Sequence, residues 1–106
     1  MTLYTIPCNP GANSAWFQRT TLGGSDFLLA FTWSTRDGHW YLDLADQDGN
    51  VLLAGRKLVA NWWLFGSAAD SRLPAGDLVL VDTTGAGEDP DFAGLGSRWA
   101  LCWVTP

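Results

Sequence analysis

The chain has a single lysine, a single glutamate, one histidine and one methionine in 106 residues. With Lys and Glu nearly absent, the best exposed helix formers are scarce, and the composition favours an all-β domain. Six basic residues stand against eleven acidic ones, a net charge of −5. The clustered Lys and Arg on which phosphate binding rests are lacking, so nucleic acid is not an expected partner. No apolar run approaches the roughly 20 residues that cross a bilayer as a helix, and the amino terminus lacks the basic start and apolar core of a signal peptide. The expectation is a chain made in the cytoplasm with no membrane partner. Only two cysteines occur, Cys8 and Cys102, with no neighbouring Cys or His at a metal-ligand spacing. In a reducing compartment they read as two buried thiols rather than a disulfide joining the ends.

Aromatic residues are abundant instead: seven Trp, five Phe and two Tyr, within a hydrophobic content of 47%. A chain of this size buries roughly two thirds of its unfolded surface, so residues 1–106 are expected to form one β domain without staples. The pattern is that of strands separated by turns. Phe27, Leu29, Phe31 and Trp33 alternate with Leu28, Ala30, Thr32 and Ser34, a period of two with the more aromatic face inward. Trp40-Tyr41-Leu42-Asp43-Leu44 alternates in the same way. Asp37-Gly38 between them tolerates positive φ and reads as a hairpin turn, and Asp48-Gly49 marks a second. Leu3–Ile6, Trp16–Leu22, Val51–Ala54, Arg56–Val59, Leu78–Asp82 and Arg98–Val104 complete eight short strands, with Trp99, Leu101 and Trp103 on one face of the last. The fold class is all-β, a small antiparallel barrel or sandwich built from hairpins.

Ala60-Asn61-Trp62-Trp63-Leu64-Phe65-Gly66 breaks the alternation. Four large apolar side chains in succession would point to both faces of a strand. The segment is either a fully buried strand or turn, or an apolar contact surface, and Trp62, Trp63 and Phe65 are the candidate partner interface. Gly66–Gly76 follows as a loop, with Leu73-Pro74-Ala75-Gly76 a rigid turn before the next strand.

Residues with chemistry form no catalytic set. His39, the one histidine, lies in a hairpin turn away from any nucleophile. Asp46, Asp48 and Gly49 start like a calcium loop, but the further ligands and the closing Glu are missing. Ten Asp residues offer many carboxylate pairs, and no spacing singles one out for glycoside hydrolysis. Gly85 and Gly87 form no phosphate loop, since no Lys follows. The strand ending in Asp82-Thr83-Thr84-Gly85 resembles the catalytic loop of aspartic proteases, in which two carboxylates share a proton. Thr84 is an extra residue in that turn, however, and too little chain follows Asp82 for a flap and the remaining core strands. Asp82, Glu88, Asp89 and Asp91 gather carboxylates as a cation site would, but Asp and Gly are also ordinary turn formers. The expectation is no catalytic, cofactor-binding or metal-binding residue. Asp82 is expected to organise the loop by accepting backbone N–H hydrogen bonds.

The succession Trp40-Tyr41-Leu42-Asp43-Leu44, Asp46, Asp48-Gly49, Leu53, Gly55, Leu58-Val59, Leu73-Pro74, Gly76, Leu78-Val79-Leu80-Val81-Asp82, Gly85, Gly87-Glu88-Asp89-Pro90, Leu95-Gly96 and Arg98 resembles the baseplate plug proteins of tailed bacteriophages, first described for a cyanophage. The resemblance runs from about Leu22 to the end. Its most specific part is the loop carrying Asp82, Gly85, Gly87, Glu88, Asp89 and Pro90. It implies a non-enzymatic virion protein of the tail baseplate that plugs or lines the central hub channel near the spike. The partners implied are the hub, spike and tube proteins, with multiple copies around the tail axis. A second class remains open, a small carbohydrate-binding module that presents Trp62, Trp63, Trp99 or Trp103 to sugar rings.

Overall fold

A computed structural model describes residues 3–8, 14–65, 73–74 and 76–105. The segment 66–72 and Ala75, read above as part of a loop, lie outside the described residues. The described chain holds seven strands and no helix: β1 (Leu3–Ile6), β2 (Ala15–Leu22), β3 (Ser25–Ser34), β4 (His39–Asp46), β5 (Val51–Lys57), β6 (Asp77–Asp82) and β7 (Trp99–Val104). They form two antiparallel sheets, one in the order β2-β3-β4-β5 and one in the order β1-β7-β6.

Local chemistry sets the hairpins of the larger sheet. Gly23 and Gly24 both adopt positive φ, 63° and 86°, which a tight β2–β3 turn requires and side chains resist. The β4–β5 turn is held by Asp46, whose Oδ1 accepts the backbone N–H groups of Asp48 at 3.0 Å and Asn50 at 2.9 Å. The stretches Val51–Ala54 and Arg56–Val59, expected as two strands, are joined in the single strand β5, which ends at Lys57. Gly55 does not break the chain there. It takes φ 64° and donates its N–H to Asp43 Oδ1 at 2.7 Å, so the strand continues through a register irregularity.

Alternation places one face of the larger sheet inside, while the smaller sheet sends Leu78, Leu80 and Leu101 into the same core and gathers Val79, Cys102 and Val104 in a second small cluster. Leu29, Phe31, Trp40, Leu44, Leu58, Leu78, Leu80 and Leu101 are fully buried and belong to one apolar cluster fed by both sheets. This is the sandwich arrangement. Trp16 stacks on Phe31 with ring centroids 4.3 Å apart, and Trp40 meets the edges of Trp16 and Trp33. Such pairs add specific geometry to the area they bury. Both cysteines are buried and unpaired.

Trp40 anchors this aromatic group, and its indole N–H donates to the Asp91 carbonyl at 3.1 Å. Trp40→Ala is expected to destabilise the protein by about 3–5 kcal/mol, read as a lower urea midpoint by circular dichroism. Burial pushes the Cys8 thiol up to about 12, with a further contribution from Cys102, and raises Cys102 as well. Both thiols are therefore expected to react slowly with a disulfide reagent at mildly alkaline pH while the protein is folded, and quickly in denaturant.

Candidate functional site

The acidic loop leaves β6 at Asp82, whose side chain is fully enclosed. A buried carboxylate must be matched by donors, and five reach it. Arg98 supplies Nε at 3.0 Å to Oδ1 and Nη2 at 2.9 Å to Oδ2, a two-pronged ion pair. The Thr84 backbone N–H and hydroxyl donate to Oδ1 at 3.1 and 2.8 Å, and the Glu88 N–H donates to Oδ2 at 3.1 Å. Gly85 and Gly87, at φ 78° and 71°, let the chain turn back on itself so that Glu88 returns to Asp82. The Arg98 guanidinium, lying 4.3 Å above the Trp99 ring, also bonds Glu88 Oε2 at 3.2 Å. Its hydrogen bonds hold the Asp82 carboxyl well below the ordinary aspartate range, with smaller contributions from Thr84 and Glu88.

From Glu88 on, the loop is fastened to both sheets. The Trp99 indole donates to the Glu88 carbonyl at 2.8 Å. Asp89 spans two elements: Oδ2 meets His39 Nε2 at 3.0 Å and Oδ1 accepts the Ala60 N–H at 3.3 Å. His39, a lone turn histidine in the sequence, thus ties the β3–β4 hairpin to a loop fifty positions on. Pro90 is fully buried, and Phe92 stacks on Trp40 at 5.5 Å and 11° between planes. Asp91 Oδ1 accepts the Gly94 N–H at 2.7 Å. Gly94 has no room for a side chain, because a Cβ there would overlap the Trp99 ring.

Chemically this is a scaffold. Asp82 is held in its ionised form at neutral pH by the donors around it, so it does not offer the shared proton that the protease reading requires. The carboxylates grouped as a candidate cation site are directed at protein donors: Asp82 and Glu88 share Arg98, Asp89 meets His39 and Ala60, and Asp91 meets Gly94. Among the described residues, no group of three or more His, Cys, Asp or Glu is placed to hold a metal ion.

The second region follows β5, and its described residues 58–65 do not form a strand. Asn61 takes φ 65°, and the chain then follows the edge of β6, with Asn61 N–H donating to Leu80 O at 2.7 Å and Leu64 N–H to Leu78 O at 2.8 Å. Trp62 and Trp63 turn outward, 70% and 53% exposed. Phe65 is a correction to the expected interface. It is 5% exposed and packs in the domain's own core, because its N–H bonds Asp77 Oδ1 at 2.9 Å and turns the chain inward after Leu64. Trp62 and Trp63 line a shallow groove with Gly55, Arg56, Lys57, Val59 and Leu64. Of the other indoles named for sugar binding, Trp99 is buried and Trp103 is half-buried against the core and stacked with Tyr4.

Sequence reasoning did not single out Arg98 as the partner of Asp82, nor Arg56 and Lys57 as neighbours of the two indoles. The first pairing was within reach, since an enclosed strand-end carboxylate needs a guanidinium and few are available. The second depends on the turn at Asn61, which no local signal announces.

The family model described as cyanophage baseplate Pam3 plug gp18 matches residues 3–106. No curated protein matches the chain.

Asp82→Asn keeps the shape but loses the buried ion pair and leaves Arg98 with only the exposed Glu88 carboxylate as counter-charge. The melting temperature is expected to fall by about 10 °C or more by circular dichroism. The sign with pH follows from the depressed Asp82 pKa. Its contribution is fully present above the ordinary aspartate value of 3.8 and is lost as pH falls below it. The difference in melting temperature between wild type and Asp82→Asn is therefore expected to narrow as the solution is acidified below pH ~4. Millimolar calcium is expected to leave the wild-type midpoint unchanged, and an upward shift would refute the scaffold assignment of these carboxylates.

Proposed function

The chain belongs to the cyanophage baseplate plug family, and on that premise we propose that it is a non-enzymatic structural component of a phage tail baseplate. In this reading residues 1–106 act as one β domain that plugs or lines the central hub channel near the spike. It is made in the host cytoplasm, resides in the virion, and meets hub, spike and tube proteins in several copies around the tail axis. The observation that carries the reading is the family match over residues 3–106. Two features support it. The loop from Asp82 to Pro90, the most distinctive stretch of the chain, is consumed by internal hydrogen bonds, as suits a part that must hold a fixed shape. Trp62 and Trp63 remain outside, two large indoles that a protein partner would cover.

Co-expression with tail proteins encoded beside this chain is expected to yield a complex with hub or spike that survives size-exclusion chromatography. Mass spectrometry of purified virions is expected to find the chain in the tail. A chain that associates with none of these proteins and is absent from virions would refute the proposal. Replacing both Trp62 and Trp63 by Ser is expected to change folding stability by less than about 1 kcal/mol, since both are exposed. The same replacement is expected to weaken association by about tenfold or more, measured by titration calorimetry.

A further inference from the structure

β5 is the last strand of its sheet, and no described strand pairs with its far side. Its final residues, Ala54 to Lys57, are all exposed. An open edge presents unpaired backbone donors and acceptors, which can template another extended chain. Beside this edge runs a groove of about 450 Å³ lined by Arg56, Lys57, Val59, Trp62, Trp63 and Leu64. Its wall is apolar where the indoles, Val59 and Leu64 lie, and cationic where Arg56 and Lys57 lie.

The charges identify the occupant. The chain carries six basic residues and a net charge of −5, yet two of the six are consecutive at this edge. We propose that the open edge of β5, with Arg56, Lys57, Trp62 and Trp63, takes an extended acidic segment of a partner protein as an added strand. Successive side chains of an extended segment point to opposite sides. Arg56 and Lys57, consecutive in β5, themselves point to opposite sides, so an alternating acidic and apolar segment can set its carboxylates on the Arg56 side, with Lys57 adding positive charge at the edge and the indoles offering apolar contact. Lys57 has only a partial claim on it from Asp37, at 3.6 Å with both groups partly exposed. Arg56 offers the planar fork that suits a carboxylate. A second copy of β5 fits poorly, because antiparallel pairing of two such edges brings their cations together.

This inference deepens the assembly role and rests on it only in taking the partner to be a tail protein. The probe is a short capped peptide of alternating glutamate and valine, with a lysine and valine peptide as control. Tryptophan fluorescence is expected to show saturable binding of the acidic peptide, weakening as salt is raised, and none of the basic one. Amide hydrogen exchange is expected to slow at Ala54–Lys57. Arg56→Glu, an exposed change whose folding is checked by its melting temperature, is expected to weaken binding by about tenfold or more. Absence of saturable binding, equal binding by Arg56→Glu, or protection elsewhere in the chain would overturn the inference. If the Trp62 and Trp63 replacement abolishes association with tail proteins while Arg56→Glu leaves it intact, the inference fails and the assembly role stands. If the peptide binds as described while no tail protein does, edge recognition stands and the assembly role fails.

Discussion

A carboxylate enclosed by folding has to find its donors inside the molecule, and Asp82 imposes that condition at the end of β6. Arg98 answers it from the residue before β7, and Thr84 and Glu88 answer it from within the loop. The path of the chain follows. To bring the Glu88 N–H back to Asp82, the loop turns through Gly85 and Gly87, and Glu88 then offers its carbonyl to the Trp99 indole. Asp89, Pro90, Asp91 and Phe92 are thereby delivered to the other sheet, where His39, Trp40 and Trp33 receive them. One ion pair at the margin of the smaller sheet thus positions a cover over the aromatic end of the larger one.

The energetics of such a pair explain its place in a structural protein. Enclosing the Asp82 charge, with Arg98 only partly buried, costs solvation that their attraction and extra hydrogen bonds offset, so the net gain over apolar residues is small. Losing one partner is expensive, because the other is left uncompensated. The pair therefore acts less as a source of stability than as a constraint that admits one loop conformation. The same holds for the glycines: Gly94 faces Trp99 with no space for a side chain, and Gly96 faces the Cys8 carbonyl in the same way. Loop and core are fitted to each other.

What could be read from the sequence was what local chemistry decides. Period-two alternation identified the buried faces of β3, β4 and β7, because Phe31, Trp40 and Leu101 sit at positions whose neighbours are polar or small. Asp-Gly pairs marked the hairpins, since positive φ at glycine is a property of the turn itself. What escaped depends on residues far apart. Gly55 read as a break because nothing nearby shows that Asp43 will bond its N–H and keep the strand going. Phe65 read as exposed because Trp62, Trp63, Leu64 and Phe65 look alike in sequence. Their separation into two outward and two inward side chains is set by Asn61 and by Asp77, twelve residues on. In the acidic loop the residue types and the nearby backbone N–H bonds to Asp82 were legible, but no local signal marked Arg98 and His39, the side-chain partners sixteen and fifty positions from Asp82 and Asp89.

The strand edges carry the last step. A sandwich of two open sheets has four, and each left bare invites unwanted pairing. Here the edge of β6 is covered by the connection from Ala60 to Leu64, which bonds directly to Leu78 and Leu80. β1 is only four residues long and runs into Pro7. At β2, the Gln18 side chain reaches the Pro7 carbonyl at 2.8 Å. β5 is defended differently, by a glycine irregularity and two adjacent cations. Charges at an edge repel a copy of themselves and any basic chain, so they guard against self-association. The same charges attract a strand of opposite sign, and exposed indoles beside them supply the apolar contact that a guard alone would not need. Protection and selection at β5 are then one arrangement, and an acidic extended segment is the kind of chain it does not exclude.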